Sequence, residues 1–359
     1  MDCILCEMMK MMRFKFLIIC LAINTIVFSQ SNLFHKGDRV CFVGNSITNN
    51  GEFYHNILLY YATRFPDEPI TFFNCGISGD VCSGVLKRMN SDILIHNPNY
   101  AVIKLGMNDV NRSMYNLHSN NNADTLAKRE DAINSYKTNL DKIINIFLSK
   151  NIKVILQKPT IYDQTAVLKR ENNFGVNDAL KRCADYIQTL ADKYKLPVVD
   201  YWTILNNVNN EVQKKDSTAT IIGQDRIHPG SVGHLIMAYQ FLKTINAPQT
   251  VAEIIIDNDA ANSNRQSKNC VLSDFKNIKK EISFQVKENS LPFPTTDGQK
   301  QALELLPIVN DLSVEKFVVK GGKGKKELLI DNSIIGTFAS EELANGINLT
   351  LYSNTPQYK

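Results

Sequence analysis

The sequence predicts an α/β protein with a five-stranded parallel sheet wrapped by helices, followed by a small C-terminal β-rich module. Three observations carry that expectation. From Arg39 to about Ala247, short apolar runs alternate with longer stretches of helical period. Beyond Pro248 the apolar period shortens to two residues. At 359 residues the chain also exceeds what one hydrophobic core fills, which is roughly 250–300 residues.

The strand candidates are 40–43, 70–74, 101–105, 153–157 and 197–200. Each is short, nearly continuously apolar and rich in Val, Ile or Phe, as strands covered on both faces are. Helical spacing joins them: Phe53, Ile57, Tyr61 and Phe65; then Val85, Met89 and Ile93; then Ile133, Tyr136, Leu140, Ile144 and Phe147. Leu180, Ala184, Ile187 and Ala191 follow, and Val232, Leu235, Ile236, Tyr239 and Leu242 lie on one face of a last helix. In the later part, "EISFQVKE", "EKFVVKG" and "KELLIDNSIIGTF" alternate like half-exposed strands. The stretch 258–268 reads as a polar loop or linker, with "NSNRQSKN" as solvated filler, and the end at "NTPQYK" reads as a truncated chain.

The N-terminus carries Arg13 and Lys15, an apolar run over 16–28, and small Ser29 before Gln30. That is the pattern of a secretory signal peptide over 1–29, with Met12 as an alternative start. The run is too short and poorly flanked for a membrane span, so no stable span is expected after cleavage. It also continues past Cys20, which argues against lipoprotein anchoring. An α/β domain over 31–247 and an accessory module over 248–359 then remain, secreted or periplasmic.

Composition narrows the partners. Apolar residues make up 44% and charged residues 21%, an ordinary globular balance. The net charge is only +4, and no basic stripe is interleaved with aromatics, so nucleic acid is excluded as a partner. Of the eight cysteines, Cys41, Cys75, Cys82, Cys183 and Cys270 lie beyond the signal segment. Their scattered spacing fits neither a disulfide framework nor a metal site, and buried free thiols are expected, with a local Cys75–Cys82 pair as the alternative.

Polar residues gather where the strands end, which in parallel sheets is where ligands bind. Gly44, Asn45 and Ser46 follow the first strand, "NCGISGD" (74–80) the second and "LGMND" (105–109) the third, while "DRIHPG" (225–230) precedes the last helix. Ester cleavage by a serine needs a base to take the hydroxyl proton and a third group to orient that base. His228 suits the first task, and Asp225, three residues earlier, can fold back onto the other ring nitrogen. The tetrahedral intermediate needs donors for its oxyanion, which Gly79 through its N–H and Asn108 through its amide can supply. Taken singly these are weak signals: a serine after glycine is more often a cap or turn residue, Asn108–Asp109 a turn pair, and Gly79 a turn glycine. Their recurrence at successive strand ends is what raises them.

At this point the chain resembles the SGNH hydrolases, also called GDSL esterases/lipases, over about 39–247. "GNSIT" resembles the block carrying the nucleophile, "NCGISGD" and "GMND" the blocks that supply the glycine and asparagine donors, and "DRIHP" the block completing the triad. The resemblance implies a three-layer α/β/α sandwich of SGNH/flavodoxin-like type, with no metal or organic cofactor. It assigns Ser46, Asp225 and His228 as catalytic, and the Ser46 N–H, Gly79 and Asn108 as the oxyanion hole. Asn45 and Ile47 stand where the family string has aspartate and leucine, positions that supply no triad chemistry. "GNSIT" lacks the second glycine of the G-x-S-x-G elbow, which leaves the α/β-hydrolase fold as the lesser alternative.

The Asn-rich segment 110–128 is expected at the rim of the site, because loops at strand ends carry specificity. Asn45, Arg112, Tyr115 and His118 are its candidate substrate contacts, with a solvated surface loop as the alternative. Asp80 and Asp109 are expected to orient neighbouring loops. His234 is expected to pack or cap and His55 to be structural, while His35, His96 and His118 lack partners at useful spacing. The expected substrate is an acetylated glycan or another small ester, with O-acetyl groups on polysaccharide or oligosaccharide preferred because secreted two-part members of the family are often glycan deacetylases. A lipase, a thioesterase or a non-catalytic glycan-binding protein are the alternatives.

Overall fold

A computed structural model describes residues 34–119, 121–258, 264–278 and 281–358. The expected signal peptide lies outside the described residues. Among them, no helix is long and apolar enough to cross a membrane.

Five strands, β1 (Arg39–Gly44), β2 (Thr71–Gly76), β3 (Tyr100–Lys104), β4 (Lys153–Gln157) and β5 (Val198–Val199), form one sheet in the order β2-β1-β3-β4-β5. All four pairings are parallel. Every strand thus points its carboxyl end to the same edge, and that edge receives the polar segments singled out above.

Two cores explain the apolar strands. Val40, Phe42, Val102 and Ile155 face one core, while Cys41, Val43, Ala101, Ile103, Val154 and Leu156 face the other. Successive side chains alternate across a strand, so a run buried on both faces must be apolar throughout. The first core is closed by α2 (Glu52–Arg64), α6 (Tyr201–Lys215) and α7 (Ser231–Thr244), and the second by α3 (Cys82–Arg88), α4 (Ala123–Ser149) and α5 (Val176–Tyr194). A five-residue helix, α1 (Ser46–Asn50), precedes α2. This is the three-layer α/β/α sandwich. The five cysteines among the described residues are free and buried.

After Pro248 the chain builds β6 (Thr250–Asp257), β7 (Asn264–Lys268), β8 (Cys270–Ile278), β9 (Glu281–Glu288), β10 (Val314–Lys320), β11 (Lys325–Ile330), β12 (Ser333–Ala339) and β13 (Ile347–Asn348). β6 joins β10 in parallel and β7 antiparallel, while β8–β9 and β11–β12 are hairpins. Asp331 and Asn332, both at positive φ (46° and 63°), make the two-residue turn of the second hairpin. The expectation of a loop over 258–268 is corrected in part. Asn264–Lys268 is a strand, invisible in the pattern because all five residues are exposed on a sheet edge.

The later segment is fastened to the α/β layer. Arg64 of α2 donates to the carbonyls of Leu312 and Gln249, Ser290 Oγ donates to the Arg64 carbonyl, and Phe293, Ile308 and Leu312 enter the first core.

Candidate active site

The turn after β1 is shaped by close approach. Gly44 pairs with Lys104 across the sheet, and a Cβ on it would lie 2.8 Å from the Lys104 carbonyl oxygen and 2.2 Å from Thr48 Oγ1. A Cβ on Gly76, at the end of β2, would lie 2.4 Å from the Asn49 backbone nitrogen. Both contacts are closer than real Cβ atoms tolerate, so α1 can sit on the sheet only because these residues are glycine. Asn45 is the N-cap of α1, its Oδ1 accepting from the Ile47 N–H at 3.2 Å. Ser46 becomes the first residue of the helix, where backbone N–H groups have no intrahelical acceptor and the dipole favours negative charge.

The second loop closes on Ser46 from 182 residues away. His228 Nε2 lies 2.7 Å from Ser46 Oγ, and His228 Nδ1 lies 2.5 Å from Asp225 Oδ2. The other carboxylate oxygen, Oδ1, accepts from the backbone N–H groups of Ile227 and His228, each at 3.0 Å. Burial pushes the Asp225 carboxyl upward, but the His228 ring and these two N–H groups outweigh it and hold the carboxyl below the usual carboxylate range. The loop is anchored by Arg226, which is buried at positive φ (70°). Its guanidinium donates to the carbonyls of Asp163, Ala166 and Arg170, at 2.9–3.0 Å. The Gly223 N–H donates to the His228 carbonyl at 2.7 Å.

The expected oxyanion donors stand at neighbouring strand ends. Ile77–Asp80 is a type II turn, closed by Asp80 N–H to the Ile77 carbonyl at 3.1 Å, with Gly79 at φ +81° in the position that demands glycine. Asn108 donates one amide hydrogen to the Asp80 carbonyl at 2.9 Å and accepts from Arg112 at 2.7 Å, which fixes the amide and leaves its second N–H free. Asp80 takes Arg88 as an ion-pair partner at 2.8 Å and accepts from Val81 N–H. Asp109 accepts from the N–H groups of Cys82 and Gly106. Both aspartates therefore orient loops, as expected.

Three of the four rim candidates do not face a substrate. Asn45 is buried beneath the turn as a cap. Tyr115 is buried, with Arg129 stacked over its ring at 4.3 Å, because its loop folds back onto α4. Arg112 is half-buried and committed to the Met107 carbonyl and Asn108 Oδ1, so it acts on the amide and not on solvent. His118 remains exposed. Among the other histidines, His96 stacks on Phe73 at 4.2 Å, and His234 is buried parallel to Phe53. Among the described residues no group of three or more His, Cys, Asp or Glu is arranged to hold a metal ion.

The sequence reading missed Arg226, Lys104 and Arg112 as supports of the site. Arg226 had a signal, a charged residue inside an otherwise explained Asp-x-x-His string, and so had Lys104, a cation inside the apolar run "AVIKL".

A hydroxyl, an imidazole and a carboxylate in line beside a helix N-terminus can move a proton from oxygen to nitrogen while negative charge grows nearby. Comparison with known proteins agrees with that chemistry. The GDSL-like Lipase/Acylhydrolase family model matches residues 42–236. The acetylxylan esterase of Geobacillus stearothermophilus is 22% identical over 229 residues, 58% of this chain and 94% of the relative. Among solved structures, a gut microbial diltiazem-metabolizing enzyme aligns at 33% identity with a TM-score of 0.83, covering 92% of this chain and 76% of that one. The structure of Axe2, the acetylxylan esterase from G. stearothermophilus, aligns at 22% identity with a TM-score of 0.47, covering 59% of this chain and 95% of that one. The chain belongs to the GDSL-like lipase/acylhydrolase family of SGNH hydrolases, and it is a carboxylic ester hydrolase.

Proposed function

We propose that this protein is an exported serine esterase that removes O-acetyl groups from polysaccharide or oligosaccharide through an acyl-enzyme on Ser46. The observation that carries the reading is the continuous contact from Ser46 Oγ through His228 to Asp225, at 2.7 and 2.5 Å.

In the first half-reaction Ser46 Oγ bonds to the acetyl carbonyl carbon as His228 Nε2 takes the hydroxyl proton. The carbonyl oxygen becomes an oxyanion, and the Ser46 N–H, the Gly79 N–H and the free amide N–H of Asn108 are its donors. Collapse breaks the bond to the sugar oxygen, which leaves with the proton from His228. Water then attacks the acetyl-enzyme as His228 takes its proton, and collapse breaks the bond to Ser46 Oγ, which takes the proton back from His228 as acetic acid departs. Asp225 keeps the ring in the tautomer that presents a bare Nε2 to the hydroxyl.

The glycan assignment draws on the acetylxylan esterase relative and on the amide-rich loop beside the site. Export draws on the signal-like N-terminus. A second reading, an ester on a small drug-like molecule, draws on the diltiazem-metabolizing enzyme, which is similar to this chain over nearly its whole length.

The test compares acetate release from acetylated xylo-oligosaccharides and pectin with turnover of p-nitrophenyl esters of increasing chain length. Glycan deacetylation that vanishes in Ser46→Ala is the expected result. Preference for long acyl chains would replace the glycan reading with a lipase. Oligosaccharide binding without turnover, unchanged by Ser46→Ala, would make the protein a glycan binder.

A further inference from the structure

The nucleophile turn rests on a lysine that the chemistry above does not use. Lys104 lies in the middle of the sheet, in register with Gly44, and is 1% exposed. Among the described residues its only side-chain hydrogen bond is from Nζ to Asn45 Oδ1, at 3.5 Å. Among the described residues no carboxylate lies within ion-pair distance of it. Its chain neighbours Val102, Ile103 and Leu105 are buried and apolar. A methionine would fill this position without the cost of burying a lone ammonium, so packing does not account for the amine.

The acceptor is informative. Asn45 Oδ1 receives Lys104 Nζ on one side and the Ile47 N–H at 3.2 Å on the other, and the Asn45 carbonyl accepts from the Asn49 N–H at 2.8 Å. Ser46 lies between Asn45 and Ile47, which the 3.2 Å bond ties together. Where the family string carries aspartate, this chain has a neutral amide, so the buried lysine keeps no counter-charge.

We propose that Lys104 is a positioning residue of this esterase: its ammonium, acting through Asn45, holds the turn that presents Ser46 and its N–H, and the protonated amine is the active form. A charge-assisted bond to the amide oxygen is roughly twice as strong as the neutral one that replaces it on deprotonation. A fixed positive charge below the turn also favours negative charge developing at the N-terminus of α1.

The surroundings make the amine responsive near neutral pH. Burial pushes its pKa down to about 7. From α7 the titratable group facing it is His234, lowered to about 3 by burial and then by Lys104 and His228, so it stays neutral. Beyond it, from the catalytic loop, stands His228. The turn contributes only the neutral Asn45. Loss of the Lys104 proton is therefore not masked by a neighbouring carboxylate.

The test follows acetate release from p-nitrophenyl acetate against pH. The inference rests on Ser46 as nucleophile, which fluorophosphonate labelling of the native protein and of Ser46→Ala checks separately. With labelling at Ser46 established, kcat/KM is expected to fall on an alkaline limb between about pH 7 and 9 as Lys104 loses its proton. Lys104→Met is expected to lower kcat about tenfold, leave KM within about twofold, and abolish the alkaline limb. Asn45→Asp gives the ammonium a carboxylate partner and is expected to move that limb upward by about one pH unit or more. Native kcat in Lys104→Met, or a limb that persists there, would overturn the proposal. Should Lys104→Met not fold, a native profile flat above pH 7, or a limb unmoved in Asn45→Asp, would do the same.

Discussion

The two loops that meet at the Ser46–His228 contact are held by different balances of packing and polar bonding. The turn at Gly44–Ser46 is fixed by a lack of room: two glycines let α1 press against the ends of β1 and β2, and one added methyl group at either would collide with its neighbours. The loop at Asp225–His228 also has one close approach, since a Cβ on Gly223 would lie 2.7 Å from the His228 carbonyl oxygen, but it is fixed mainly by polar bonds, with the Arg226 guanidinium spread over four carbonyls and the Asp225 carboxylate over a ring and two N–H groups. The nucleophile is thus placed chiefly by packing, with the Asn45 bonds beneath it, and the base chiefly by hydrogen bonding. Packing fixes the position of an atom. Hydrogen bonding fixes orientation and tautomer as well, which an imidazole needs and a hydroxyl does not.

The largest effect should come from removing what the packed turn presents. Ser46→Ala is expected to lower kcat by at least about 10³-fold with stability nearly unchanged, because the lost hydroxyl supports no other part of the fold. Steady-state kinetics beside a thermal melt would check both halves. Activity within tenfold of native would mean that the hydroxyl is not the nucleophile.

Asp225→Asn tests the polar side. It keeps the shape and replaces the carboxylate oxygen facing Nδ1 by a group that competes for the wrong tautomer, with an expected loss of about 10²–10⁴ in kcat. The native carboxyl is held low, so it stays ionised across the neutral range, and its contribution to stability has a definite sign. It is present above the unfolded carboxylate pKa and is lost as pH falls through the lowered folded value. Melts of native and Asp225→Asn protein should therefore converge at acid pH and separate near pH 7. A gap that widens on acidification would contradict the hydrogen-bonding account of this loop.

The difference between packing and polar support also explains what was legible in the sequence. All five sheet strands were legible to within a residue or two, since burial of β1, β3 and β4 on both faces leaves nearly continuous apolar runs, and the half-exposed edge strand β2 still carries Phe72 and Phe73. Glycines at strand ends and the Asp-x-x-His string were legible as short-range patterns. The helix Tyr201–Lys215 was not, although Tyr201, Leu205, Val208 and Val212 mark its buried face, because asparagines dilute the pattern between them. Arg226 and Lys104 stood out as charges in unexpected places, but what each reaches was not legible, for a deeper reason. Their partners are carbonyls of 163–170 and the amide of Asn45, and no local pattern says which backbone oxygen a long side chain will reach. The rim failed likewise, since a polar loop such as 110–119 reads as exposed even where Tyr115 turns inward.

Arg226→Met should loosen the polar loop without touching the reacting atoms. Four hydrogen bonds from a buried charged group are lost and their carbonyl acceptors are stranded, an expected cost of about 3 kcal/mol in unfolding free energy. Turnover should fall about tenfold or more, because the imidazole loses its fixed distance to Ser46. Denaturant titration and kinetics on the same preparation check the pair. Full activity at reduced stability would show that Asp225 alone sets the loop.

The smallest effect probes the packed turn. In Gly76→Ala the new methyl meets the Asn49 backbone nitrogen, which cannot rotate away, so α1 must lift from β2 at a cost of about 1–3 kcal/mol. A lift of a few tenths of an ångström moves Ser46 relative to His228, and a several-fold loss in kcat should follow. Combining it with Arg226→Met sharpens the contrast. The two sites share no hydrogen-bond partner, so their stability losses should add. Their activity losses should not multiply, because both act by spoiling one contact, the 2.7 Å approach of Oγ to Nε2, which can be lost only once. If the double variant instead loses the full product of the two factors, packing and polar support control different steps of the reaction.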